Sequence, residues 1–205
     1  MENKLENIRE IPSLVLASSS PRRKELIHML GLPVIIQPSG ADEWTEAEWT
    51  PEQTVEQLAL RKAQDVASQR GRRHEDEIVV GSDTIVVLDQ EILGKPKDDT
   101  DACRMLAKLQ GRSHEVYTGV ACVHIDSGKT VVRHKRTKVW MRALHDAQIE
   151  RYVASGETSD KAGAYAIQGL GATIVDRIEG CYFNVVGLPV SLLAEMLSEY
   201  GVETP

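Results

Sequence analysis

What most narrows the fold of this chain is one short stretch. An apolar run at 14–17 (Leu-Val-Leu-Ala) leads through Ser18, Ser19 and Ser20 into Pro21, Arg22 and Arg23. Four apolar residues followed by hydroxyls predict a buried strand and a turn. Proline suits the first position of a helix, because its missing N–H would have no intrahelical partner there. Ser20 then stands at the N-cap, where its hydroxyl can accept from an amide of the first turn. The tip of such a strand-turn-helix carries free N–H groups and the positive end of the helix dipole, to which three hydroxyls and two arginines are added. That combination suits an anion, phosphate above all. The segment alone also admits a plain capped helix with solvated arginines. Two first-turn arginines oppose the dipole, however, and chains tend to break local rules where function requires it.

The whole chain fits this reading. With 205 residues, 41% of them hydrophobic, it can bury a substantial core. A net charge of -7 argues against a nucleic-acid coat or a membrane-surface binder, whereas a small anionic ligand needs only a local basic pocket. The expected partner is therefore a small anion, with no nucleic acid and no membrane; homodimerisation stays open, since no exposed apolar face is legible. Residues 1–12 carry Glu2, Glu6 and Glu10 and lack the apolar centre of a signal peptide, and no later run reaches membrane-spanning length. A cytoplasmic protein is expected, with a tail at 1–12 and one domain over 13–205. Cys103, Cys122 and Cys181 are odd in number and far apart, which indicates neither a disulfide framework nor a cysteine zinc site, and they read as small buried hydrophobes. The six histidines show no metal-ligand spacing.

After the first helix, Gly31 reads as its end and 34–36 as a second strand beside the first. Residues 40–49 form an acidic loop in which Asp42 and Glu43 are candidate metal or base carboxylates. Thr50, Pro51 and Gln53 have the pattern of a capping box and open a long helix to about Gln69. Its apolar stripe runs through Val55, Leu58, Ala59, Ala63 and Val66, and Lys62 falls on the same face. The ammonium must either snorkel to the rim or enter a cleft that holds an anion. Past a charged turn at 71–76, residues 78–88 are the most strand-like in the chain, and Asp83 interrupts them. A carboxylate among β-branched residues is costly to bury without a cation or metal, which marks Asp83 as functional, whether it lies in one strand or at a turn between two.

Asp89 and Gln90 supply a turn, and 91–97 brings back Lys95 and Lys97. Asp99 or Thr100 caps a helix that Gly111 ends. Strands at 114–125 and 130–141 are joined by a glycine-containing hairpin, and Asp146 opens another helix. A glycine-rich loop at 160–171 precedes strands predicted at 172–178 and 182–186, then a final amphipathic helix through Leu192, Leu193, Met196 and Leu197. Gly169 and Gly171 do not make a dinucleotide fingerprint, since the third glycine is missing and strand formers follow. No Walker-type loop or nucleophile elbow is present.

Five motifs are then recognisable in order: Ser-Ser-Ser-Pro-Arg-Arg at 18–23, Gly-Ser-Asp-Thr at 81–84, Gly-Lys-Pro at 94–96, Lys-Ala-Gly-Ala-Tyr-Ala-Ile-Gln-Gly at 161–169, and Asn-Val-Val-Gly-Leu-Pro at 184–189. Together they resemble the Maf family of nucleoside triphosphate pyrophosphatases over nearly the whole chain from Leu14. The resemblance implies a cytoplasmic hydrolase, dependent on a divalent metal (Mg, Mn or Co), that cuts a nucleotide between its α- and β-phosphates. It also implies an α/β fold with an elongated mixed sheet flanked by helices and a cleft between two lobes, similar to the inosine triphosphate pyrophosphatases. By similarity Asp83 would be the proton acceptor, and Arg22, Thr84 and Gln168 would set base preference in the manner of the dTTP/UTP branch. Two departures from the family pattern stand out, a longer N-terminal tail and the tryptophans Trp44 and Trp49 around Glu43.

Independently of the resemblance, a triphosphate is best held by arginine forks, lysine charges and helix N-terminal amides. Ser18, Ser20, Arg22, Arg23, Lys62 and Lys95 would supply them. Glu43 and Asp83 are the carboxylates expected to hold a magnesium-like ion, and Asp83 is the candidate base. Gln168 offers an amide donor and acceptor for a pyrimidine edge. A second reading is a nucleotide-binding regulator of cell division or septum formation with incidental hydrolysis, and a third is a purine-directed enzyme of similar fold.

Overall fold

The computed structural model describes residues 12–71 and 76–204, so that nearly all of the tail and most of the charged turn after the long helix lie outside the described residues. The first run forms β1 (Ser13–Leu16), followed by α1 (Pro21–His28) and β2 (Val34–Ile36), with Gly31 in the left-handed region just past the helix. Both β2 and the later β3 (Glu77–Leu88) pair parallel to β1. The helix α2 (Pro51–Arg70) begins with the expected capping box at Thr50 and Gln53. Next come β4 (Glu91–Leu93), α3 (Asp99–Leu109), and the long hairpin of β5 (Ser113–His124) and β6 (Thr130–Met141). The chain continues with α4 (Asp146–Val153), β7 (Val175–Glu179), α5 (Tyr182–Val186) and α6 (Val190–Ser198). The seven strands make one mixed sheet, ordered β2-β1-β3-β5-β6-β7 with β4 on the outer end of β3.

Side-chain alternation along the strands sorts the core by face. Leu14, Leu16, Ile78, Val80 and Val120 pack under α1 and α6, against Leu26, Ile27, Leu193 and Met196. Val15, Ala17, Val79 and Ala121 face the other way, against Ala59, Ala63 and Val66 of α2. A further core fills the opposite end, where Val86, Leu88, Val116 and Val139 meet Leu106, Leu109, Ile149 and Tyr152 from α3 and α4. Two glycines let α2 lie directly on the sheet. A Cβ on Gly81 would sit 2.1 Å from the Ala59 carbonyl oxygen, and one on Gly119 would sit 2.2 Å from that of Val55. Among the described residues no helix is long and apolar enough to cross a membrane.

The structure corrects several local expectations. The strand predicted at 182–186 is the short helix α5. Its sequence, Tyr-Phe-Asn-Val-Val, suits a strand, but the side-chain amide of the fully buried Asn184 donates to the Val116 carbonyl and to Thr137, both at 3.0 Å. The Asn184 carbonyl in turn accepts from the Thr118 hydroxyl at 2.8 Å. Satisfying these buried groups outweighs a strand preference that is itself dependent on context. The strand predicted from 172 begins only at Val175, because a 3₁₀ turn at Gly169–Thr173 comes first. The Glu157 carboxylate holds that turn by accepting from the N–H groups of Leu170 (2.9 Å) and Gly171 (3.1 Å). The third helix is capped one residue early, by Asp98. Only Cys122 of the three cysteines is fully buried.

Candidate active site

Asp83 lies within an unbroken twelve-residue strand, which excludes the two-strand alternative. It is 8% exposed and opposes Gly119 of β5. Because glycine lets α2 sit close to the sheet there, Lys62 reaches down to it: Nζ lies 2.6 Å from Asp83 Oδ1 and 2.6 Å from Glu43 Oε1. The buried acid thus has the cation that burial demands. The hydrogen bond from Lys62 holds the Glu43 carboxyl below its ordinary range against the opposing effect of burial, and the charges of Lys62, Lys95 and Arg23 add to this. Lys95, arriving from the turn after β4, stands 4.0 Å from Glu43.

The serine-proline-arginine tip forms the facing wall. Ser18 Oγ accepts from the Ser20 N–H (3.2 Å), and Ser20 Oγ caps α1 by accepting from the Arg23 N–H (3.5 Å). The two arginines diverge. Arg23 turns inward, donating from Nε to the Gly187 carbonyl (2.8 Å) and from Nη2 to Thr84 Oγ1 (3.0 Å). Burial lowers its pKa from the ordinary value while the charge of Asp83 opposes that shift. Thr84 in turn lies 2.9 Å from Thr118 Oγ1, which connects Arg23 to the Asn184 corner. Gly187 has a φ of +126°, a conformation glycine tolerates, and a side chain there would approach Arg23 Nε to 3.5 Å. Arg22 instead reaches across to the exposed Asp160, 3.5 Å away.

These groups enclose a cavity of about 730 Å³. Ser18, Ser20, Arg22, Arg23 and Lys62 line it, as do Glu43, Asp83, Thr84, Lys95 and Gln168, so these ten share one space, whereas Asp42, the other candidate carboxylate of the acidic loop, is not among the lining residues. Gln168 stands at the start of the 3₁₀ turn that Glu157 fixes. Sequence reasoning missed Asp160 and Lys161 as lining residues, and Thr118 and Asn184 as the support behind Thr84. Asn184 carried a usable signal, a polar residue inside an apolar run like Asp83. Thr118 carried none, since only the β3–β5 register sets it beside Thr84.

Among the described residues no group of three or more His, Cys, Asp and Glu side chains is arranged to hold a metal ion. Glu43 and Asp83 converge on one ammonium, however, and paired carboxylates suit a magnesium-like ion that takes its other ligands from water and phosphate. On the chemistry of its donors, the pair therefore fits such an ion.

A mixed α/β sheet whose cleft gathers basic side chains, a hydroxyl-rich helix tip and paired carboxylates defines a protein that handles phosphate esters or anhydrides. The chain belongs to the Maf family, since the profile described as "Maf-like protein" matches residues 13–200. A relative from Moorella thermoacetica, named dTTP/UTP pyrophosphatase, is 53% identical over 190 residues, which cover 93% of this chain and 96% of its own. One from Pelotomaculum thermopropionicum bears the same name and is 50% identical over 188 residues, covering 92% and 96%. Among solved structures, a HAM1 protein from Coxiella burnetii superposes with a TM-score of 0.49 and 15% identity, over 92% of this chain and 99% of that one.

Proposed function

We propose that this chain is a nucleoside triphosphate pyrophosphatase of the cytoplasmic nucleotide pool. It hydrolyses dTTP and UTP, and modified pyrimidine nucleotides of the same shape, to the monophosphate and pyrophosphate, with residues 13–205 as one catalytic domain. The observation that carries the reading is the placement of Asp83, a buried carboxylate beside Lys62 and Glu43 on the floor of a cavity walled by the Ser18–Arg23 tip. The names of relatives about half identical to it support the substrate.

In this reading Ser18, Ser20 and the first-turn amides of α1 accommodate phosphate oxygens, and Arg22 exchanges Asp160 for the polyanion. Arg23, locked by Gly187 and Thr84, presents a fixed charge, and Lys62 and Lys95 neutralise the remainder. Asp83 takes the proton from a water aimed in line at the α-phosphorus. A new oxygen–phosphorus bond forms at that atom, the bond to the bridging oxygen breaks, and pyrophosphate leaves with the electron pair. Glu43 and Asp83 would hold a divalent Mg, Mn or Co ion, whose chemistry when bound is to offset charge on the phosphate oxygens. Gln168 would read the pyrimidine edge with its amide.

A panel of common, methylated and deaminated triphosphates, assayed with each metal and with pyrophosphate and orthophosphate measured separately, tests the reading. UTP and dTTP should lead, releasing pyrophosphate. Orthophosphate alone would remove the cleavage site, ITP or XTP in first place would remove the pyrimidine assignment, and tight binding of UTP without turnover would leave a nucleotide-binding regulator.

A further inference from the structure

The loop that carries Glu43 is held by three positions on one stretch of α2. Asp65 accepts from the Ser39 hydroxyl (2.6 Å) and the Gly40 N–H (2.8 Å), which ties the start of the loop. One turn earlier, Arg61 donates from Nη1 to the carbonyl oxygens of Asp42 (2.8 Å) and Trp44 (2.9 Å), the two residues flanking Glu43. Its guanidinium carbon lies 4.3 Å from the centre of the Trp44 ring, and that ring stacks on Trp49 at 5.8 Å. Lys62, next in the chain, takes the Glu43 carboxylate itself. The two tryptophans to which the sequence alone assigned no role are thus part of the loop's fastening.

The geometry points to Arg61 as a positioning residue for Glu43: by gripping both flanking carbonyls it keeps that carboxylate turned towards Lys62 and Asp83. The inference rests on the proposed function for the part Glu43 plays in turnover. Apart from the Asp65 tie at its start and the Lys62 and Lys95 charges on Glu43 itself, the loop has little to orient it. Its side chains at Asp42, Glu43, Glu46 and Glu48 are acidic, the Trp44 ring is 56% exposed, and the Glu43 side chain is half exposed. Without a fastening, such a loop would move into water and away from an incoming polyanion. Two charge-assisted bonds from one planar group, with a ring stacked on it, fix both position and angle. A lysine could supply the charge but neither the planar geometry nor the stacking.

The test is a double-mutant cycle read on kcat/KM for UTP, paired with a measurement that needs no turnover. R61A should lower kcat/KM by about tenfold or more, since an ångström of misplacement can cost about 10²-fold. E43A should do at least as much, and R61A/E43A should be no slower than E43A, because Arg61 has nothing left to position. R61K should recover part of the loss. In parallel, acrylamide should quench the tryptophan fluorescence of R61A more strongly than that of the wild type, as Trp44 loses its cover while Trp140 keeps Arg177 at 3.6 Å. Multiplying effects in the double mutant, E43A turning over at the wild-type rate, or quenching identical in R61A and wild type would each overturn the inference. Failure of the wild type to release pyrophosphate would count against the proposed function alone, because the quenching comparison would still decide whether Arg61 grips the loop.

Discussion

Asp83→Asn is expected to lower kcat by about 10²–10⁴-fold, the usual range for losing a positioned general base. Nucleotide binding should persist. Asparagine keeps the shape of the side chain and an oxygen for Lys62 to donate to, so the 2.6 Å contact has a neutral successor. It also removes a negative charge from a cavity meant for a polyanion, and UTP should bind the variant as tightly as the wild type or more so. Calorimetric titration with UTP alongside steady-state pyrophosphate release separates the two effects. A variant with wild-type turnover would show that the proton goes elsewhere. A variant that neither binds nor turns over would show that Asp83 serves chiefly to hold Lys62 and the cavity in shape.

Gly119→Ala should be among the most damaging single-methyl changes in the scaffold. The new Cβ would lie 2.2 Å from the Val55 carbonyl oxygen, 2.4 Å from its carbon and 2.9 Å from the Glu56 nitrogen. All three are backbone atoms of α2 and cannot swing aside, so the helix must lift by about 1 Å to regain ordinary contact. Overpacking of this kind costs about 1–3 kcal/mol and occasionally more. In a chain of this size that is a fall in Tm of about 2–12 °C. The lift would carry Lys62 and Arg61 with it, so kcat/KM should drop by about 10²-fold even in the fraction that stays folded. Gly40→Ala, where a Cβ would meet nothing within 4 Å, is the steric control for stability and should leave Tm unchanged. Equal Tm values for the two variants, measured by thermal unfolding, would contradict the close seating of α2.

The elements that were legible in the sequence are those whose signals are local. Pro21 after Ser20, the Thr50–Gln53 box and the glycine hairpin each specify a terminus or turn within a few residues, and the structure has them at those positions. Asp83 and Lys62 were legible as charges on faces that ought to be apolar, and the structure pairs them. Chemistry that depends on contact between distant segments was less visible. The polar Asn184 stands out in the strand-like run at 182–186, but nothing there shows that it will bond Val116 and Thr137 inside two other strands, and nothing near Gly81 or Gly119 says that a helix backbone will press on them. The acidic loop likewise reads as solvated until Arg61 is found holding its carbonyls.

The central claim is that cations and carboxylates drawn from separate segments meet around one triphosphate and direct water to its first phosphorus. Hydrolysis of UTP in ¹⁸O-labelled water, with both products examined by mass spectrometry, tests it most directly. The account predicts the label in UMP and none in pyrophosphate; label in pyrophosphate, or release of labelled orthophosphate, would contradict it.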